Sequence, residues 1–403
     1  MFATGVFLLL SALSARACAH ETIAKGYYPG WTTKFPLSEV SWSKYSHVTY
    51  AFAVTTSDGK LSLEGSNPDG LAPFVKAARE HGVTPCISIG GWTGSRFFST
   101  AVGSPLNRTE FVTTILDFAL KYDLQCIDLD WEYPAKQGIG CNTINKDDTA
   151  NFLSFLQELR VNPAAATYEI SAAVGINTFI DGAGNPSTDV SGFANVLDHI
   201  VLMNYDIYGS WSDVVGPNAP LNDTCAPAPY QQGSGVWSVD KWTKAGMPKE
   251  KLVLGVGSYG HAFTVKKEDA FVKGSTAELN AYPPFDKTHP PFGENGDDSG
   301  VDVCGVKNGP SDVWSFRAMV ENGYLKKDGT PNVPHRFDEC SKTAYVYNAD
   351  KQVQISFDDA KAFEVKGTFI KDFGLRGYSV WEVTGDESDI LLNAIRKGAG
   401  LDS

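Results

Sequence analysis

Asp128, Asp130 and Glu132 stand at alternate positions of the run Ile127-Asp128-Leu129-Asp130-Trp131-Glu132-Tyr133-Pro134. In an extended chain alternate side chains share one face, so the three carboxylates project together, about 6 to 7 Å apart per two residues. Burying three like charges in a row is costly unless they share protons or find partners. A solvated edge strand would avoid that cost, but Ile127, Leu129 and Trp131 make the other face wholly apolar and no turn residue interrupts the run before Pro134. The pattern therefore predicts a catalytic strand. Mutual repulsion should hold one proton within the cluster and keep Glu132 able to donate a proton near neutral or mildly acidic pH, which is general-acid chemistry.

Such a strand needs a frame. Short apolar runs recur at 23–28, 47–53, 84–89, 126–131, 169–174, 199–204, 252–256 and 376–381. Helix-patterned stretches such as 71–81, 108–122 and 149–160 lie between them. Eight strands alternating with helices predict an α/β chain closed into a (β/α)8 TIM barrel. Active sites of such barrels lie at the carboxyl ends of the strands, so Glu132 should face the substrate with Asp130 and Asp128 progressively deeper. More than a hundred residues separate the last two strands, where a helix and two turns would suffice. We expect a small α+β insertion subdomain over 264–345, with 20–263 and 346–403 forming the barrel.

The remaining composition narrows the class. Of 403 residues, 42% are hydrophobic and 39 are glycine, enough for a large core. The net charge of −13 disfavours nucleic acid or an acidic membrane as partner and suits a neutral ligand. Residues 5–13 form a short apolar run before Ala17-Cys18-Ala19, which reads as a signal peptide over 1–19, cut after Ala19, on a secreted and soluble protein. Of seven cysteines, six would then remain in an oxidising compartment. Cys141, Cys225, Cys304 and Cys340 sit in loop-like sequence, with Cys141–Cys225 and Cys304–Cys340 the expected bridges, while Cys86 and Cys126 lie in strand runs and are expected to be buried thiols. Asn107-Arg108-Thr109 and Asn222-Asp223-Thr224 are glycosylation sequons expected in exposed loops. No spacing resembles a metal site.

At this point the chain resembles the chitinases of glycoside hydrolase family 18. Asp128, Asp130, Glu132, Tyr133 and Pro134 match the family motif Asp-x-x-Asp-x-Asp-x-Glu with its Tyr-Pro continuation. Ser88-Ile89-Gly90-Gly91-Trp92 resembles the Ser-x-Gly-Gly element one strand earlier, and Met203-Asn204-Tyr205-Asp206 the Met-x-Tyr-Asp element downstream. Gly26-Tyr27-Tyr28, Tyr50-Ala51-Phe52, Gly255 to Gly260 and Trp381 fall where the family has similar strand ends. The match runs in order from about residue 22 to 395.

What the resemblance implies is retaining, substrate-assisted hydrolysis of β-1,4 links between N-acetylglucosamine units, an exception to the two-carboxylate scheme. Glu132 would protonate the glycosidic oxygen, Asp130 would orient the substrate acetamido group, Tyr205 would hydrogen-bond its carbonyl, and Asp128 would exchange a shared proton with Asp130. Ser88 would hydrogen-bond Asp128. Trp381 would floor the cleft, with Tyr27, Phe52, Trp92, Tyr208, Tyr133, Met203 and Asp206 around it. The glycines of Ser88-Ile89-Gly90-Gly91 would let backbone and sugar approach closely. Chitin or chitooligosaccharide is the implied partner, with no cofactor, and a monomer is the expected state. An insertion before the last strand tends to wall the cleft and favour chain-end or processive attack.

The motif departs from the family at Gln125, where Asp is usual, and at Cys126, where Gly is usual. Gln125 has the opposite strand parity from the acids and should face the helices, whereas Cys126 should point into the barrel near Cys86. Two other readings share this fold: a non-catalytic chitin-binding lectin, disfavoured by the presence of both Asp130 and Glu132, and an endo-β-N-acetylglucosaminidase acting on N-glycan cores.

Overall fold

A computed structural model describes residues 22–401. The leader expected over 1–19 lies outside the described residues. Eight parallel strands form the central sheet: Ile23–Pro29, His47–Thr55, Thr84–Gly90, Cys126–Asp130, Glu169–Val174, His199–Leu202, Leu252–Gly257 and Gly377–Trp381. The first strand pairs with both the second and the last, so the sheet closes on itself as a (β/α)8 barrel.

The helices form where local chemistry starts them. Pro105 opens Pro105–Lys121 behind the cap of Ser104, whose side chain accepts from the Asn107 amide at 3.2 Å. The last connecting helix, Ala360–Phe373, is capped by Asp359 and stopped by Gly374, which takes the left-handed conformation a C-terminal cap favours. Their apolar faces cover the outside of the barrel: Phe111, Ile115, Phe152 and Phe155 pack with Ile127 and Leu129 in one core. The interior is different. Alongside a small apolar group of Ile23, Ala173, Val201 and Val253, it buries Lys25, Thr49, Ser88, Asp128 and Ser171. A barrel filled in this way carries a charged layer directly under its upper rim.

The long interval before the last strand contains a five-stranded antiparallel sheet ordered Val313–Ser315, Tyr259–Thr264, Val353–Phe357, Thr343–Asn348, His335–Asp338. It therefore reaches beyond the expected 264–345 on both sides. Its inner strand Tyr259–Thr264, second in that order, follows the barrel strand Leu252–Gly257 after only Ser258, so no turn-rich segment marks the boundary in the sequence.

Three further expectations are corrected. The disulfides are Cys141–Cys304 and Cys225–Cys340, with Cα atoms 5.5 and 5.8 Å apart, not the pairs nearest in sequence. Each joins a loop on the barrel rim to the inserted segment, because the insertion folds back over those loops. Asn107 lies in the first turn of Pro105–Lys121 with its side-chain amide donating to the Thr100 carbonyl at 2.8 Å, so that sequon is not a loop. Gln125 is exposed before its strand begins and meets solvent, not helices. Cys86 and Cys126 are free, buried register partners on adjacent strands.

Candidate active site

The strand Cys126–Asp130 ends at Asp130, one residue short of expectation, so the site's three acids are held by different means. Asp128 is fully buried inside the barrel and saturated by donors. Its Oδ1 accepts from Lys25 Nζ at 2.8 Å and from the Ser171 hydroxyl; its Oδ2 accepts from Tyr27 at 2.9 Å and Ser88 at 3.0 Å. Burial alone would raise this carboxyl, but the Lys25 ammonium and the hydroxyl donors hold it below the usual carboxylate range. Lys25, equally buried, is in turn held above its ordinary value: burial opposes its charge and the Asp128 carboxylate outweighs that opposition.

Asp130 lies one step nearer the rim. Burial first, then Glu132 and Asp128, push its carboxyl well above the ordinary value, and its Oδ1 has no hydrogen-bond partner among the described residues. Burial and the two neighbouring carboxyls thus favour its protonated form. Its neighbour Asp128 has both oxygens engaged by these four donors, with the Lys25 ammonium balancing its charge.

Beyond the strand, Glu132 is fixed through its backbone. Its amide donates to Ser95 Oγ at 3.0 Å, and its carbonyl accepts from the Asn142 amide at 2.8 Å. The same Ser95 hydroxyl lies 2.9 Å from the Asp130 carbonyl oxygen. Burial pushes the Glu132 carboxyl up to about 7, with Tyr133 lowering and Asp206 raising it. The glycine pair makes the space. A side chain at Gly90 would meet the Asp130 carbonyl oxygen at 2.1 Å, and one at Gly91 would strike the Phe52 ring.

Above the acids opens a cleft of about 710 Å³. Trp381 stacks on Phe52 with ring centroids 5.6 Å apart, and Phe52 on Trp31 at 6.1 Å, which gives a continuous aromatic wall. Trp92 also lines the cleft and is 49% exposed, an aromatic ring left open to solvent at a concave surface. Opposite, Met203, Tyr205 and Asp206 complete the lining. Asp206 adopts φ 57 just past the strand His199–Leu202 and accepts from the Tyr259 hydroxyl at 2.5 Å.

A barrel with three acids at the carboxyl end of one strand and an aromatic floor on another matches the model of glycosyl hydrolases family 18 over residues 24–386. The chain belongs to that family. Two relatives described as chitinase-like effectors align along most of its length: one from Moniliophthora roreri, 65% identical over 98% of both chains, and one from Moniliophthora perniciosa, 55% identical over 94% of this chain and 87% of that one. The crystal structure of a chitinase from Rhizomucor miehei is 30% identical, covers 93% of this chain and 99% of its own, and superposes with a TM-score of 0.83.

Within this family 18 barrel the residues singled out from sequence fall into layers. Asp130, Glu132, Tyr133, Tyr205, Asp206, Met203, Phe52, Trp92 and Trp381 line the cleft. Tyr27, expected around the cleft, lies beneath it, 2% exposed, with its hydroxyl spent on Asp128, and the buried Ser88 donates to Asp128 as expected. Tyr208 is removed altogether: the chain turns away after Asp206, and its hydroxyl donates to the Tyr230 carbonyl inside the protein. Sequence reasoning missed Lys25 and Trp31. Lys25 shares strand parity with Tyr27, which was the available signal, whereas Trp31 lies in the turn after that strand, where parity gives none. It also missed His261, buried behind Asp206.

Proposed function

We propose that the protein is a secreted glycoside hydrolase that takes chitooligosaccharides into this cleft and cleaves their β-1,4 links with retention. The reading rests on one observation above all: Glu132, with its carboxyl pushed up to about 7, stands on the cleft beside the buried acid Asp130. A carboxyl in that range holds its proton at mildly acidic pH and yields it readily, as a general acid must. In the step proposed, the Glu132 proton passes to the glycosidic oxygen as the bond from that oxygen to C1 breaks, its electron pair leaving with the oxygen. The substrate's acetamido oxygen bonds to C1 in its place and the ring formed carries the positive charge. Asp130 and Tyr205 address the acetamido group, and Trp381 lies under the sugar. Water then attacks C1, opens the ring and returns a proton to Glu132. Two disulfides suit folding in an oxidising compartment and support secretion.

A second reading, capture of the oligosaccharide with little breakdown, is favoured by the Lys25–Asp128 ion pair beneath the acids and by the Moniliophthora relatives described as chitinase-like effectors. Product anomers from N-acetylchitohexaose decide between the two. Prompt β-anomer release by the wild type that is lost in Glu132→Gln supports hydrolysis. Binding by calorimetry without release supports capture.

A further inference from the structure

Lys25 is an uncommon occupant of its position: a lysine with no solvent exposure, inside a barrel, one layer below a carboxyl pair. Its Nζ touches Asp128 Oδ1 at 2.8 Å and Ser171 Oγ at 3.3 Å. With Tyr27, Ser88 and Ser171 also donating, each Asp128 oxygen accepts two hydrogen bonds. Nothing on Asp128 remains for Asp130.

That matters for the charge under the reacting sugar. Cleavage creates a positive ring above Asp130, which a carboxylate there would stabilise and a neutral acid would not. To become a carboxylate, Asp130 must pass its proton on. Asp128 is the adjacent carboxylate, two residues back on the same strand face, and accepting the proton would mean displacing one of its four donors and discharging the partner of the Lys25 ammonium in a dry interior. The other titratable groups packed around this pair are Tyr27, Cys86, Cys126, Asp130, Glu169 and His199. Glu169 is engaged by His47 and His199.

Resting on the hydrolytic reading of the same cleft, we propose that Lys25 is a positioning residue that locks Asp128 in a four-donor cage and withdraws it from proton exchange with Asp130. Its presence biases the cleft toward holding chitooligosaccharide over cleaving it. Removing the ammonium removes one donor and one positive charge, so Asp128 takes the Asp130 proton and Asp130 faces the substrate ionised.

The test uses the full chain, N-acetylchitohexaose, and the variants Lys25→Met, Lys25→Arg and Glu132→Gln, with kcat and KM from product release and Kd from calorimetry. Lys25→Met is expected to raise kcat by at least about tenfold, a part of the roughly 10²- to 10⁴-fold that proton-transfer groups contribute, with KM within about threefold. Lys25→Arg keeps the charge and is expected to stay at the wild-type rate. The acidic limb of the kcat profile is expected to move to higher pH in Lys25→Met, because Asp128 and Asp130 lose a stabilising cation; a purely structural role would not move it. If Lys25→Met does not fold, Lys25→Gln, which keeps a donor and no charge, is read in the same way. A wild type that hydrolyses while the uncharged variant binds equally but is no faster overturns the role of Lys25 and leaves the hydrolytic reading standing. Binding without turnover in both wild type and uncharged variant overturns both.

Discussion

His261 Nε2 stands 2.8 Å from Oδ1 of Asp206, so an imidazole of the inserted sheet backs a carboxylate of the cleft. Its Nδ1 faces Asp312 Oδ1 at 3.0 Å. Burial works against the charged ring, but hydrogen bonds to Asp206 and Asp312 raise it from 6.5 to about 10. A group whose folded value is raised contributes stability that is complete below its unfolded value and lost as pH climbs through the folded one. The melting temperature of the wild type should therefore exceed that of His261→Asn most clearly near pH 6. The gap should close between 6.5 and about 10. Paired thermal melts over this window check it, and a gap that widens with pH refutes it.

The pH dependence of turnover follows from Glu132. With its carboxyl at about 7, the acid form is lost above neutrality and the basic limb of kcat against pH should fall there. Glu132→Gln should lower kcat by roughly 10²- to 10⁴-fold with oligosaccharide affinity retained. Initial rates from pH 4 to 9, beside calorimetry at one pH, measure both.

Trp381 and Tyr208 separate a cleft residue from a packing residue. Truncating Trp381 to Ala removes the ring that ties Phe52 to Tyr27 and should weaken N-acetylchitohexaose binding by roughly 2 kcal/mol, the level seen for large aromatic anchors. Tyr208→Phe removes only the hydrogen bond to Tyr230 and should leave affinity unchanged, with a stability loss of about 1 kcal/mol. Titration calorimetry and denaturant unfolding distinguish the two effects.

Non-reducing peptide mapping should recover Cys141 with Cys304 and Cys225 with Cys340. The double variant Cys141→Ser/Cys304→Ser releases a loop of long sequence span. It should lose about 2–5 kcal/mol of stability by chemical denaturation.

The barrel was legible because its strands are short apolar runs, and such runs between amphipathic helices have few alternatives. The acid cluster was legible from parity at Asp128 and Asp130. Parity fails where a strand stops: Glu132 is placed by Ser95 and Asn142, and Tyr208 lies beyond a left-handed turn at Asp206 that no alternation rule anticipates. Lys25 escaped notice because a lysine in a strand ordinarily reads as an exposed residue, and only the partner 103 positions away explains its burial. Cysteine pairing depends on which rim loops the insertion overlies, a tertiary fact absent from local sequence.

The two disulfides have a mechanical meaning. They anchor the inserted segment at separate points, Cys304 to the loop that follows Glu132 and Cys340 to the loop that follows Asp206. A body pinned at two points and continuous with the barrel at its ends cannot swing about either pin. The insertion is thus clamped as a fixed body against the very rim loops that carry Glu132 and Asp206, and those loops inherit its rigidity.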